Sequence, residues 1–362
     1  MTHRVIQWAT GNVGKYALRA ILDHPDLELV GVYTYNPEKH GVDAGEILGD
    51  APVGVRATRD LDALLALEAD CVVYAPLTLD LDEVCKVLES GKNLISLPGL
   101  LHPATLGSQA VDRLEAACQR GGSSVHGTGI NPGWVGEVLP LTMSGLCQQI
   151  EQIHVKEIGD WSHYTSPEMV FDLFRFGASP AEVDLEENAF LRTIGAYFRE
   201  SIDMVAAGLE IRLDDFTIEQ ELALAPGSYE MAAGTIAEGG VAGQRYRFTG
   251  RVEGDPVIII ETVWAVVPDL PGDWPRSGES RWIATLEGRP SFRCEFTPAL
   301  TFDPDRKDVS DDGGEMSLLG TAMHAIHAIR HVCQADPGIR TFLDLPIITA
   351  AGAHRRRRAG PS

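Results

Sequence analysis

What this chain has little of is positive charge. Its 362 residues carry 30 Lys and Arg against 52 Asp and Glu, a formal net charge of −22. A protein that grips a phosphate backbone needs a basic surface, so no nucleic-acid partner is expected. The chain also lacks any apolar run near the roughly 20 residues that a membrane-crossing helix requires, so no membrane partner is expected either. Six cysteines (71, 85, 118, 147, 294, 333) lie scattered, with neither a CxxC pair nor a histidine at ligand spacing. That pattern reads as reduced thiols in a cytoplasmic protein without a metal site. Strand-like sequence begins at Arg4, which leaves no room for a signal peptide and agrees with a cytoplasmic location. The only basic run, Arg355 to Arg358, reads as a solvated tail.

What is present suffices for two cores: 44% of the residues are hydrophobic and 23% charged. The chain is organised around Arg4 to Ile21, RVIQWATGNVGKYALRAI. An apolar strand runs through a tight turn, Ala9-Thr10-Gly11-Asn12-Val13-Gly14, into a helix. Such a turn leaves backbone N–H groups pointing outward, and the helix dipole adds partial positive charge at the same spot. This is the arrangement that holds a dinucleotide diphosphate in a Rossmann domain. The first glycine of the GxGxxG pattern is Ala9; Gly11 remains for close approach of the backbone, and Gly14 for helix–strand packing. Thr10, Gly11, Asn12, Val13 and Gly14 are therefore cofactor-binding candidates.

A second strand is expected over Leu27 to Tyr35. Its tip normally selects the cofactor, because a carboxylate there bonds the ribose 2′-hydroxyl of NAD. Here the tip is Tyr35-Asn36 followed by Pro37, Glu38, Lys39 and His40. With no carboxylate on the strand tip and Lys39 close by, NADP is favoured over NAD. Further strands are expected at Cys71 to Ala75, Asn93 to Ser96 and Ser123 to His126, with helices at Asp60 to Ala69, Leu81 to Leu88 and Val111 to Cys118. Ligands of an open parallel sheet lie beyond the carboxyl ends of its strands. Pro76, Leu77 and Thr78 should thus flank the cofactor. Gly127 to Trp134, GTGINPGW, is too rich in Gly, Asn and Pro for helix or strand. It reads either as a platform for nicotinamide and substrate, with Asn131 toward the cofactor and Pro132, Gly133 and Trp134 in a substrate pocket, or as a plain crossover between domains.

Beyond a helix at Val138 to Cys147, the pattern changes. Ile153 to Ile158 alternates like an antiparallel strand with one wet face. A helix starts at Ser166-Pro167-Glu168, and a longer one runs from Glu186 to Leu209 with an apolar stripe that reads as core or a subunit contact. Five β-rich segments then follow between Phe216 and Phe296 without intervening helices, the sign of an antiparallel sheet. Asp303 to Gly314 reads as a solvated loop and Leu318 to Val332 as a last helix that returns to the first domain. The expected fold class is an α/β Rossmann domain, a doubly wound parallel sheet, plus an α+β substrate domain with an open, largely antiparallel sheet. The expected boundaries are 1–135 with 315–350 for the first domain, 136–314 for the substrate and dimerisation domain, and 351–362 for a disordered basic tail.

Three segments together resemble the dihydrodipicolinate reductase-like oxidoreductases, the group that holds 2,4-diaminopentanoate dehydrogenase and the NAD(P)H-dependent amine dehydrogenases. They are Val5 to Gly14, Gly127 to Gly133, and Gly320 to Pro346 with its ending Phe342-Leu343-Asp344-Leu345-Pro346. The resemblance implies a homodimer and hydride transfer between NAD(P)H and a C=N or C=O carbon of a small molecule. Two departures narrow it. Glu157 to Thr165 lacks the paired His and the Lys of true dihydrodipicolinate reductases, and Leu97 to Pro103 lacks the glutamate that the amine dehydrogenases carry there. His102 beyond a strand end, and His163 and Tyr164 from the second domain, are left as candidate catalytic residues; each also reads as an ordinary loop residue. Glu137 reads as a first-turn helix carboxylate. The alternative to an enzyme is an NADP(H)-binding sensor that turns nothing over.

Overall fold

A computed structural model describes residues 2–184, 188–268, 270–276, 278–303 and 313–353. Residues 304–312 of the expected loop Asp303 to Gly314, the expected helix start at Glu186 and the Arg355 to Arg358 tail lie outside the described residues, whereas Gly313 and Gly314 open the last helix instead of closing the loop. The chain forms two compact units, Met1–Gly129 with Leu319–Ser362, and Ile130–Leu318.

The first unit alternates strands and helices. In chain order they are β1 (His3–Trp8), α1 (Asn12–Asp23), β2 (Leu27–Tyr33), α2 (Ala44–Ile47), β3 (Ala57–Thr58), α3 (Leu61–Leu65), β4 (Cys71–Tyr74), α4 (Leu81–Glu89), β5 (Asn93–Ser96), α5 (Ser108–Gly121) and β6 (Ser124–Gly127). Local chemistry fixes several starts. Asp60 accepts the Ala63 amide at the head of α3, and Asp80 those of Asp82 and Glu83 at the head of α4. Asp43 caps α2 with Glu46 answering it, a capping box. β4 is buried at all four positions, as a strand covered on both faces must be.

The second unit holds α6 (Val138–Ser144), β7 (Gln149–Asp160), α7 (Ala189–Gly208), β8 (Asp215–Leu224), β9 (Tyr229–Met231), β10 (Gly234–Ile236), β11 (Val241–Val252), β12 (Asp255–Ala265), β13 (Ser280–Arg289) and β14 (Phe292–Phe296). Its six-stranded sheet has the order β14-β13-β7-β12-β11-β8. The expectation that β7 is purely antiparallel is corrected here. It pairs antiparallel with β13 but parallel with β12, with Ile153 opposite Ile258 and Glu157 opposite Thr262. Alternation reports which face is wet, not which way a neighbour runs. The apolar stripe of α7 is core: Phe198, Ile202 and Val205 are buried against Phe248, Ile258 and Ile260. The segment opened by Ser166 is shorter than expected, a single π-type turn at Glu168–Leu173.

The chain then returns through α8 (Gly313–Gln334) and β15 (Gly338–Ile339). Ala322, Ala325, Ile326, Ile329 and Val332 of α8 pack with Ala17, Leu18 and Ile21 of α1. β15 pairs parallel with β6 and completes a seven-stranded, all-parallel sheet of order β15-β6-β5-β4-β1-β2-β3. The order reverses beside β1, the topological switch point where an open α/β sheet binds its ligand.

Candidate functional site

The turn after β1 has the geometry of a phosphate cradle. Ala9 sits at φ +68°, the left-handed conformation that the missing glycine would adopt freely. Its carbonyl accepts the buried Gln7 Nε2 at 2.9 Å, which ties the strained residue down. Gly14 has no room for a side chain, because a Cβ there would lie 2.4 Å from the Ala9 carbonyl oxygen. Gly11 is the opposite case: beyond its chain neighbours, a Cβ would meet no atom of the described residues within 4 Å. The fold therefore does not need a glycine at 11, whereas a ligand approaching the backbone does. Gly11 heads α1 with no side-chain cap and no acidic residue in the first turn, so the leading amides and the dipole are left for an anion. These residues fit the diphosphate of a nicotinamide dinucleotide.

One cation reaches this turn from the end of β2. Lys39 Nζ donates to the Thr10 carbonyl at 2.8 Å and to Thr10 Oγ1 at 3.1 Å. Burial, and then the nearby Lys15 ammonium, push the Lys39 pKa down, so an anion arriving here relieves an existing repulsion. Tyr35 donates its hydroxyl to Glu83 Oε2 at 2.5 Å and accepts from Trp8 Nε1 at 3.0 Å. Asn36 is occupied with capping a turn, accepting the Glu38 amide at 2.8 Å. Sequence reasoning missed Arg59. β3 pairs parallel with β2, Thr58 opposite Tyr33, and so delivers Arg59 beside the β2 tip, where its amide donates to His40 Nδ1 at 3.2 Å. A two-residue strand leaves no periodic signal.

Pro76, Leu77 and Thr78 follow the carboxyl end of β4, with Leu77 and Thr78 exposed. His102 follows β5 at the head of a short 3-10 turn, Nδ1 3.2 Å from Thr105 Oγ1. Beyond β6, Thr128 Oγ1 lies 2.6 Å from His324 Nδ1 of the returning α8. His126 donates Nδ1–H to the Arg340 carbonyl at 2.8 Å. Burial holds both imidazoles neutral, His126 pushed down to about 4 and His324 to about 3.

In the second unit two carboxylates hold the Asn131 to Trp134 loop. Glu137 is fully buried and accepts the Gly133 amide at 2.8 Å and the Ser201 hydroxyl, so it is a loop clamp and not a helix cap. Burial raises its pKa to about 7 against the pull of those two bonds. Glu157 accepts Asn131 Nδ2 at 2.6 Å, Trp282 Nε1 at 2.9 Å and Trp264 Nε1 at 2.7 Å. Burial raises its pKa too, and the three hydrogen bonds lower it. Trp134 packs on Phe296, with Pro132 beside it in the loop. His163 is exposed, Nε2 3.6 Å from Asp160 Oδ2, and Tyr164 stacks on Trp161 at 4.7 Å. The cofactor candidates Thr10 to Gly14 and Lys39 are thus brought together, as are Asn131, Gly133 and Glu157. The signal for Glu157 was present in sequence: period two puts it on the face of Ile153 and Val155, both buried.

Comparison with known proteins extends this. Residues 134–359 match the family model of the 2,4-diaminopentanoate dehydrogenase C-terminal domain, and residues 5–93 that of the dihydrodipicolinate reductase N-terminus. The amine dehydrogenase of Streptomyces virginiae is 33% identical over 98% of this chain and 99% of its own. The 2,4-diaminopentanoate dehydrogenase of Acetoanaerobium sticklandii is 23% identical over 74% of this chain and 70% of its own. The fold matches that of an amine dehydrogenase from Mycobacterium smegmatis with a TM-score of 0.78, at 21% identity over 97% of this chain and 98% of the other.

Proposed function

Because the chain belongs to the family of 2,4-diaminopentanoate dehydrogenase and the amine dehydrogenases, and is thus an NAD(P)-dependent oxidoreductase, we propose that it reduces a C=N or C=O carbon of a small organic molecule. The observation that carries this reading is the turn at Thr10 to Gly14, with Gly11 free of any packing role and α1 left uncapped. When bound, the reduced nicotinamide supplies the hydride. The chain's own part is alignment and proton supply. Thr10, Gly11, Asn12, Val13 and Gly14 hold the diphosphate. Lys39, with Tyr35 and Asn36 along the same rim, meets the ribose 2′ side, and NADP is preferred to NAD. Pro76, Leu77 and Thr78 flank the cofactor, and Asn131 is assigned to the nicotinamide end. Pro132, Gly133 and Trp134 border the substrate, and His102, His163 and Tyr164 are the candidate proton donors. We further assign the protein to the cytoplasm as a homodimer, which sedimentation velocity tests.

Titration of NADPH fluorescence, with an oxidation screen over ketones with and without ammonia, decides the reaction. Turnover only with ammonia identifies C=N reduction, and turnover without it carbonyl reduction. Tight NADPH binding with no turnover on any substrate would favour the sensor. Lys39→Ala should weaken NADPH about tenfold more than it weakens NADH, a difference near 1.4 kcal/mol. Equal losses for both cofactors would overturn the NADP assignment.

A further inference from the structure

We propose that the first unit carries a second ligand site, apart from the dinucleotide turn: a cavity ringed by His3, His24, His327, His331 and Arg330 that takes a small organic anion, a carboxylate or phosphate group on a short apolar body. This goes beyond the reductase reading and does not depend on it.

The cavity measures about 330 Å³, a size that suits a small molecule. Three elements build its walls: the start of β1, the turn from α1 into β2, and the end of α8. The His3 amide donates to the Asp26 carbonyl at 2.9 Å and closes the corner between β1 and that turn. Because β1 and β2 begin here, the cavity lies at the amino edge of the parallel sheet. The turn at Thr10 to Gly14 lies at the carboxyl edge, where α/β sheets bind their cofactors. Ile326 and Ile329 are buried, while Asp26, Arg330, Gln334 and Thr349 are exposed. The cavity thus runs from an open, polar mouth to an apolar floor.

Its chemistry leans one way. Four of the chain's 11 histidines line it with an arginine, in a chain whose net charge is −22. Asp26 is the one carboxylate among the lining residues, and the rim from Thr349 to Gly352 adds no charge. The Asp26 amide donates to His24 Nδ1 at 3.1 Å, which makes Nε2 the donor end of that ring. The His24 and His327 rings stand edge to face, 6.5 Å between centroids. Burial, and then His24, push the His327 pKa down; burial, and then the Arg330 guanidinium, do the same at His331. An anion arriving here relieves both repulsions and draws a proton onto an imidazole. α1 and α8 both end at the cavity, and the carboxyl end of a helix supports a protonated imidazole. Histidines also suggest a metal ion, but among the described residues no three His, Cys, Asp or Glu side chains are placed to hold one. An anion needs no such convergence. It takes Arg330 as its fixed charge and the imidazoles as donors, and Leu27, Ile326 and Ile329 cover its carbon body.

Isothermal titration calorimetry of the full-length protein with hexanoate, hexyl phosphate and the neutral hexanamide tests this. At least one anion should bind saturably at one site, about tenfold or more tightly than the amide, and the tighter of the two tells carboxylate from phosphate. Hexanoate keeps its charge between pH 6 and pH 8, so its affinity reports the imidazoles. It should weaken about tenfold over that range, with proton uptake read as a buffer-dependent heat. Arg330→Gln, at an exposed position, should weaken the anion about tenfold and leave hexanamide unchanged. His327→Gln should flatten the pH dependence; if it fails to fold, Arg330→Gln and the pH series decide. Anions that bind no better than hexanamide, or an affinity that Arg330→Gln leaves unchanged, overturn the proposal. So does displacement of the anion by saturating NADPH, which would put it in the dinucleotide site. A protein that binds the anion as described but ignores NADPH would defeat the reductase reading and leave this site standing.

Discussion

At the scale of single residues, the two glycines of the first turn separate structure from function. Gly14 faces the Ala9 backbone and Gly11 faces open space. Gly14→Ala must push its methyl against a carbonyl that cannot retreat, and should cost about 1–3 kcal/mol, as overpacking does. Gly11→Ala should leave the thermal midpoint within a degree or two and weaken NADPH binding, since the added methyl occupies the line along which the diphosphate approaches. Thermal melts with and without NADPH read both at once. A Gly11→Ala protein that binds NADPH normally would remove the cradle from the functional account. The Gly14 half of this contrast was legible in sequence from the GxxG spacing. The left-handed Ala9 was not, because a non-glycine residue there hides the conformation that the pattern usually advertises.

At the scale of elements, sequence gave good access to whatever is decided locally. Helix starts at Asp60 and Asp80 carry their caps in the chain, and β5 falls at Asn93–Ser96 as its apolar run predicts. Partners distant in sequence were out of reach. β3 is two residues long, yet it places Arg59 beside the tip of β2. β7 takes a parallel neighbour about a hundred residues later, so its alternation revealed a buried face without revealing that Glu157 on it meets Trp264 and Trp282. The head of α7 offers a test of the local kind. Asn188 accepts the amides of Phe190 and Leu191 at 2.9 and 3.1 Å, and donates to the Leu173 carbonyl at 3.1 Å. Asn188→Ala loses cap and tie together and should cost about 1–2 kcal/mol in a denaturant melt. Asn188→Asp keeps the cap alone and should recover most of it.

At the scale of the whole molecule, the two units answer pH in opposite directions. In the first, His126 and His324 are held neutral, pushed down from 6.5 to about 4 and about 3 by burial. A depressed imidazole stabilises the fold fully above pH 6.5, and that stability is lost as pH falls toward the folded value. In the second, Glu137 is raised from 4.5 to about 7, again chiefly by burial. A raised carboxyl stabilises the fold fully below pH 4.5, and that stability is lost as pH climbs through 7. A shift of this size is worth on the order of 3 kcal/mol. Between pH 4.5 and 7 the first unit should therefore gain stability while the second loses it. Hydrogen exchange read by mass spectrometry, corrected for the intrinsic rate, resolves the two by peptide. Peptides from β5 and β6 should become more protected as pH rises, and those from α6 and α7 less. Glu137→Gln keeps the Gly133 and Ser201 bonds without a charge to bury, so it should flatten the second trend and leave the first intact. Parallel trends in both units would mean that these buried groups do not set the profile, and the −22 net charge would then be the next cause to examine.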